Sequence, residues 1–261
     1  MDKRAVLDGL GAAGEERLLL GRIWDKYDQC RLKNMPSATV FLSPQEQQLA
    51  LRLLQTMGVK SGYVFFGGYD GAERCQLHFL PDWLDAADEE AIRAIRCRWF
   101  REDTLTHRDF LGSLMGLGLT RETIGDILVG EDSADLLVSA AVAEFLLSSW
   151  DSAGRVKLKT AEVPLHDLHI PEVKVKLIRD TVSSLRLDSV AATAFSLSRG
   201  KAAEAIETGR VQLNWQVCTK TDRTVSAGDT ISLRGLGKCR VEEMGKQTKK
   251  GRIFITVKRF L

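Results

Sequence analysis

The chain has 261 residues, 44% hydrophobic and 28% charged, with a net charge of +2. This is globular composition, at a length that suits two or three domains. No run of eighteen apolar residues occurs, and the first twenty residues hold no apolar stretch of signal-peptide length. The sequence therefore predicts a cytoplasmic protein with no membrane partner.

Leu18, Leu19, Ile23, Tyr27 and Leu32 fall at spacings that share one helical face. A second helix is predicted from Ser43 as N-cap, Pro44 at the first helical position, Glu46 three residues after the cap, and Gly58 as the stop. The period then changes. Tyr63 to Phe66 reads as a strand, Gly67 to Gly71 as a turn, Arg74 to Phe79 as a returning strand, and Pro81 breaks it. Residues 1–81 are expected to form an N-terminal α+β region.

Residues 82–164 are expected to form a second α+β domain. A helix is predicted over 86–95 and a strand over 96–100. Then follow a helix over 107–119, strands over 124–130 and 134–139, a helix over 141–150 and a strand over 155–163. Counted from Arg96, the order is strand, helix, strand, strand, helix, strand, as in a ferredoxin-like sheet with helices on one face. Residues 165–178, with two prolines just upstream and within, read as a linker. Residues 179–261 form the last predicted domain.

That last domain is basic. It carries 16 lysines and arginines against 8 acidic residues, an excess of +8, while residues 1–178 carry −6. Such asymmetry points to a domain that meets a polyanion. Leu187, Val190, Ala191 and Ala194 give its first helix an apolar face. Ser198 is placed to cap a second helix that buries Ala202, Ala205 and Ile206 and stops at Gly209. Val211 and Leu213 begin a strand, and Gly228-Asp229 marks a turn before another. The start of the second helix, with Arg199 and Lys201 beside it, has the free N–H groups and dipole that suit phosphate. Arg210, Lys220 and Arg223 follow on the strand and its turn.

Arg186-Leu187-Asp188, Ser198-Arg199, Ala202, Ile206, Gly209, Val211, Asn214 and Gly228-Asp229, at these spacings, resemble the ribosomal-protein-S4-type RNA-binding domain. Ala191 departs from its usual leucine, Phe195 from a frequent glycine, and Trp215 from the glycine that often follows the asparagine. The resemblance implies RNA contact by Arg186, Ser198, Arg199 and Lys201, with Asp188 orienting an arginine. Upstream, "FFGGYDGAERCQLHFLPDW" and "LTHRDFLGSLMGLGLTRETIGDILV" resemble the bacterial YlmH family of ribosome-associated proteins. That resemblance implies an N-terminal domain, an RNA-binding-type middle domain and a C-terminal S4-type domain. It also implies a non-enzymatic monomer that meets rRNA and tRNA on the large ribosomal subunit carrying peptidyl-tRNA, in quality control of stalled translation.

The alternative is an RNA-modifying enzyme, pseudouridine-synthase-like or other, that uses the basic domain as anchor. The Arg-Leu-Asp at 186–188 continues "SVAATAF" and not the threonine-serine-glycine of the enzyme motif. His107, Asp109, Glu122 and Asp126 cluster in sequence, yet their spacing fits no metal-ligand pattern; a helix cap by His107 or Asp109 is the plainer reading. Gly116 and Gly118 offer a turn that RNA could approach closely. His166 and His169 form H-x-x-H beside prolines. Cys30, Cys75, Cys97, Cys218 and Cys239 hold no C-x-x-C pair and read as reduced thiols. No cofactor, metal or small-molecule substrate is expected. Tyr63, Phe65, Phe66 and Tyr69 read mainly as core, with Tyr69 in the glycine-rich turn as the one placed for exposure.

Overall fold

A computed structural model of the chain describes residues 2–100, 102–172, 174–248 and 251–260. The fold is α+β. The chain divides into two compact units, Met1–Pro171 and Glu172–Leu261.

In the first unit, helices α1 (Lys3–Gly9) and α2 (Gly14–Lys33) lead into strand β1 (Ser37–Leu42). Helix α3 (Pro44–Thr56) starts on the predicted capping box: Glu46 N donates to Ser43 Oγ and Ser43 N donates to the Glu46 carboxylate at 2.6 Å. Strands β2 (Tyr63–Phe66) and β3 (Cys75–Phe79) complete an antiparallel three-stranded sheet of order β1-β3-β2. Leu20, Ile23, Ala50, Leu53, Leu54 and Leu77 bury the helices against it.

Next come β4 (Ile92–Arg98), α4 (His107–Gly116), β5 (Ile124–Val129), β6 (Ser133–Ser139) and α5 (Ala140–Ser149). A small hairpin, β7 (Ser152–Ala153) and β8 (Val156–Lys157), precedes β9 (Lys159–Val163). Strands β5-β6-β4-β9, in that order, form one antiparallel four-stranded sheet. The helix predicted over 86–95 is therefore not formed: only Glu89–Ala91 makes a single 3-10 turn, and strand begins at Ile92. Ile92–Arg98 is a central strand, buried on both sides, so it lacks the polar alternation that would have marked it. The single strand predicted over 155–163 is split, because Val156–Lys157 turns back on Ser152–Ala153.

One face of this sheet, with Ile95, Cys97, Leu136 and Val138, packs against Phe110 and Leu114 of α4 and Ala143 and Leu146 of α5. The other face, with Ala94, Leu128 and Leu137, packs against Phe41 of β1 and against Phe66 and Tyr69. Two glycines allow that approach. A Cβ on Gly125 would stand 2.7 Å from the Phe41 ring, and one on Gly68, whose φ is +95°, would stand 2.6 Å from Leu137. The segment after β9, expected to be a linker, begins on the same face. Leu165 and Leu168 join its core, Arg96 donates to Asp167 O at 2.6 Å, and His169 N donates to Asp135 at 2.7 Å.

The second unit opens with strand β10 (Val175–Val182), which begins inside the stretch read as linker and runs past its end at 178, and continues with helices α6 (Leu187–Phe195) and α7 (Arg199–Glu207). Strands β11 (Val211–Leu213), β12 (Gln216–Val217), β13 (Thr230–Leu233), β14 (Gly237–Gln247) and β15 (Ile253–Phe260) follow. The sheet order is β10-β15-β14-β13-β11-β12, antiparallel throughout. The predicted apolar residues of α6 and α7 are all buried, against Val211, Ile231, Val241, Ile255 and Val257. At the three departures the chain adapts. Ala191 is fully buried in this core, and Phe195 is buried as the last residue of α6 with the Arg259 guanidinium 5.4 Å from its ring centre. Asn214 and Trp215, at φ +50° and +62°, form a two-residue hairpin turn.

Ser196 closes α6 in the left-handed conformation, at φ +56°, with its side chain exposed. A left-handed L-residue costs about 1–2 kcal/mol, partly offset because glycine loses more entropy on folding. Ser196→Gly is expected to stabilise this unit by about 0.5–1 kcal/mol, which for a domain of this size raises the melting temperature by a few degrees. A lowered melting temperature in a thermal scan would contradict it.

Candidate nucleic-acid interface

Helix α6 has no side-chain cap; its first N–H groups are taken by a neighbouring turn instead. Leu187 N donates to Arg223 O at 2.8 Å, and Asp188 N donates to Thr221 O at 3.1 Å. This brings the turn carrying Lys220 and Arg223 to the start of α6, beside Arg186. Asp188 is 4% exposed. Its carboxylate accepts from Arg186 Nε at 3.2 Å and Nη2 at 3.4 Å, and from Arg199 Nε at 3.0 Å. Burial would raise its pKa, but the hydrogen bonds and charges of Arg199 and Arg186 outweigh that and hold it below the usual carboxylate value. Asp188 thus orients two arginines, one at the N-cap of α6 and one at the first position of α7. Both arginine side chains remain about half exposed, at 41% and 53%.

Ser198 caps α7, accepting from Lys201 N at 3.3 Å, and both residues are exposed. Arg186, Ser198, Arg199 and Lys201 therefore gather where α7 starts, with Lys220 and Arg223 alongside. Arg210 is not brought there. It sits past the far end of α7, roughly 15 Å away by helix rise, where its Nε donates to Thr208 Oγ1 at 3.2 Å. Asn214 serves the fold: its side chain donates to Asp229 and accepts from Thr230 N at 2.9 Å.

The ionisable residues of the middle motif do structural work. Asp109 closes a capping box, accepting from Thr106 N at 2.8 Å and Thr106 Oγ1 at 2.6 Å. Asp126 accepts from Tyr69 Oη, Glu73 N and Arg74 N, at 2.8, 2.7 and 3.0 Å. Tyr69 is therefore a half-buried structural donor and not an exposed platform, and burial together with Asp126 raises its pKa. Glu122 pairs with Arg22 at 3.3 Å. His107 is the first residue of α4; burial, then the Arg121 charge, lower its pKa. Gly118, at φ +85°, ends α4 as a left-handed glycine. His166 and His169 carry exposed side chains after β9. Among the described residues, no three His, Cys, Asp or Glu side chains converge as a metal would require. No helix among the described residues is long and apolar enough to cross a membrane.

An acidic residue buried between two basic ones, at the paired starts of two short helices on a small sheet, defines an RNA-binding domain of the S4 class. Residues 185–231 match the S4 domain, and residues 100–167 match the domain described as "Putative RNA-binding domain in YlmH". The chain is 36% identical, over 89% of both chains, to the Bacillus subtilis (strain 168) protein named "Ribosome-associated protein quality control protein P2". The chain belongs to the YlmH family. Its fold is similar to that of the cell division protein ylmH from Streptococcus pneumoniae, with a TM-score of 0.51 at 19% identity, over 60% of this chain and 97% of that one. The matched domains are RNA-binding types, and neither is a catalytic family.

Proposed function

We propose that the protein is a non-enzymatic RNA-binding factor of ribosome-associated quality control. It acts in the cytoplasm, as a monomer, on large ribosomal subunits that carry peptidyl-tRNA, and contacts rRNA and tRNA. The observation that carries this reading is the buried Asp188 carboxylate holding Arg186 and Arg199 at the start of α7. Two fixed guanidinium groups, a helix N-terminus and the adjacent Lys201 make a site for backbone phosphates, which give affinity and register rather than base reading. The name of the Bacillus subtilis relative supports the ribosomal setting. The structural duties of Asp109 and Asp126 favour this over the enzyme alternative.

The test is co-sedimentation of the full chain with large subunits carrying peptidyl-tRNA. Arg199→Ala with Lys201→Ala should release the protein at moderate salt. It should also flatten the salt dependence of RNA binding by about two contacts' worth. Ser198→Ala is the stability control: it removes a cap worth about 1 kcal/mol and should lower the melting temperature more than the double change does. A folded double variant that still travels with large subunits would overturn this site.

A further inference from the structure

The site above lies with α6 and α7, which cover one face of the six-stranded sheet; the opposite face carries a different surface. Along β15, Ile255 and Val257 point into the core, so Phe254, Lys258 and Phe260 point away from it. Register carries the pattern across the sheet. Leu177 of β10 pairs with Lys258, Arg179 with Thr256, and Arg240 of β14 with Lys258 on its other side. Lys238, two residues before Arg240, shares this face. The surface is cationic and partly apolar: Phe254 is 53% and Leu177 55% exposed, amid Arg179, Lys238, Arg240 and Lys258. Among these outward positions of β10, β14 and β15, Glu243 opposes that charge. The Phe260 ring holds the Lys238 and Lys258 ammonium groups 5.2 and 5.9 Å from its centre, fixing both on the sheet.

We infer that this open face is a second RNA surface, distinct from the Arg186/Arg199 site, and that it takes single-stranded RNA. The charge suits a phosphate backbone. An exposed phenylalanine on a flat sheet is a stacking platform, which a closed duplex cannot use because its base faces are already stacked. The inference rests on the reading of the protein as an RNA-binding factor.

The experiment measures binding of the full chain to two fluorescently labelled RNAs, by anisotropy across a salt series. One is a single strand of about twelve nucleotides, within the size range such surfaces cover; the other is a hairpin. Phe254→Ala should weaken single-strand binding by about tenfold, leave hairpin binding unchanged, and be rescued by Phe254→Trp. Arg240→Gln with Lys258→Gln, which leaves the exposed ring in place, should flatten the single-strand salt dependence by about 1.4 in log–log slope. Arg199→Ala with Lys201→Ala should weaken hairpin binding and spare the single strand. If single-strand binding is unchanged in both sheet-face variants and lost in the Arg199/Lys201 variant, this inference is overturned and the proposed function stands. Binding to neither RNA overturns both. Phe254-dependent capture by phosphatidylserine vesicles, without single-strand binding, would reassign the face to a membrane and overturn the inference.

Discussion

Arg96→Ala is expected to destabilise the first unit by about 3–5 kcal/mol, the loss typical when one partner of a buried ion pair is removed. Arg96 on β4 and Asp135 on β6 face each other in register and form a two-pronged pair, Nε to Oδ1 at 2.7 Å and Nη2 to Oδ2 at 2.8 Å. Asp135 is 0% and Arg96 9% exposed. The hydrogen bonds that Arg96 donates to Asp135 raise its pKa against the opposing effect of burial, so the guanidinium stays charged. Without it, a buried carboxylate keeps His169 N as a donor and loses its cation. Asp167 O loses its bond to Arg96 as well, so the turn after β9 should loosen from the sheet. For a unit of this length the melting temperature should fall by roughly 10 °C, and amides near residues 165–169 should exchange faster. Arg96→Met with Asp135→Leu should cost far less than Arg96→Ala, because no charge is then buried. A shift in Arg96→Ala within a degree or two of zero would refute the pair's structural role.

Asp188→Ala is expected to damage binding more than stability. Asp188 is buried, but both its arginines are half in water, so the stability loss is set at about 2 kcal/mol rather than the full value for a buried pair. RNA affinity should fall by more than tenfold, since Arg186 and Arg199 lose the group that aims them. The pH dependence has a definite sign. Because the folded pKa is lowered, the Asp188 contribution is fully present above the unfolded value of about 3.9 and is lost as pH falls through the folded value. Chemical denaturation of wild type and Asp188→Asn should therefore differ near neutral pH and converge in strong acid. Unchanged RNA affinity in a folded Asp188→Asn protein would remove Asp188 from the site.

The S4-type unit was legible because its signals are local. Ser198 as cap, Gly209 as stop, and the apolar spacing of α6 and α7 each lie within a few residues of what they control. The motif implied that Asp188 orients an arginine; the structure identifies Arg199, 11 residues on, and Arg186 as the two it holds. Ser196 was missed because nothing in its neighbours announces a left-handed helix end occupied by serine.

Elsewhere the decisive partners are distant. Tyr69 and Asp126 meet across 57 residues, and Arg96 reaches Asp167 across 71. In the middle domain, sequence offered a turn at Gly116 and Gly118 that RNA could approach, and left open which sheet faces are covered. The structure closes the sheet's helix-free face with Phe41, Phe66, Tyr69, Leu165 and Leu168. The sequence alone determined the capped helices α3 and α7, the apolar face of α6, the basic last third and the arginine-bearing motif, because capping, periodicity and charge are properties of neighbouring residues. Only the tertiary structure decided which sheet faces are covered and that Leu177, Arg240, Phe254 and Lys258 share one surface. That depends on strand register and layer stacking, where a one-residue slip would turn every side chain to the opposite face.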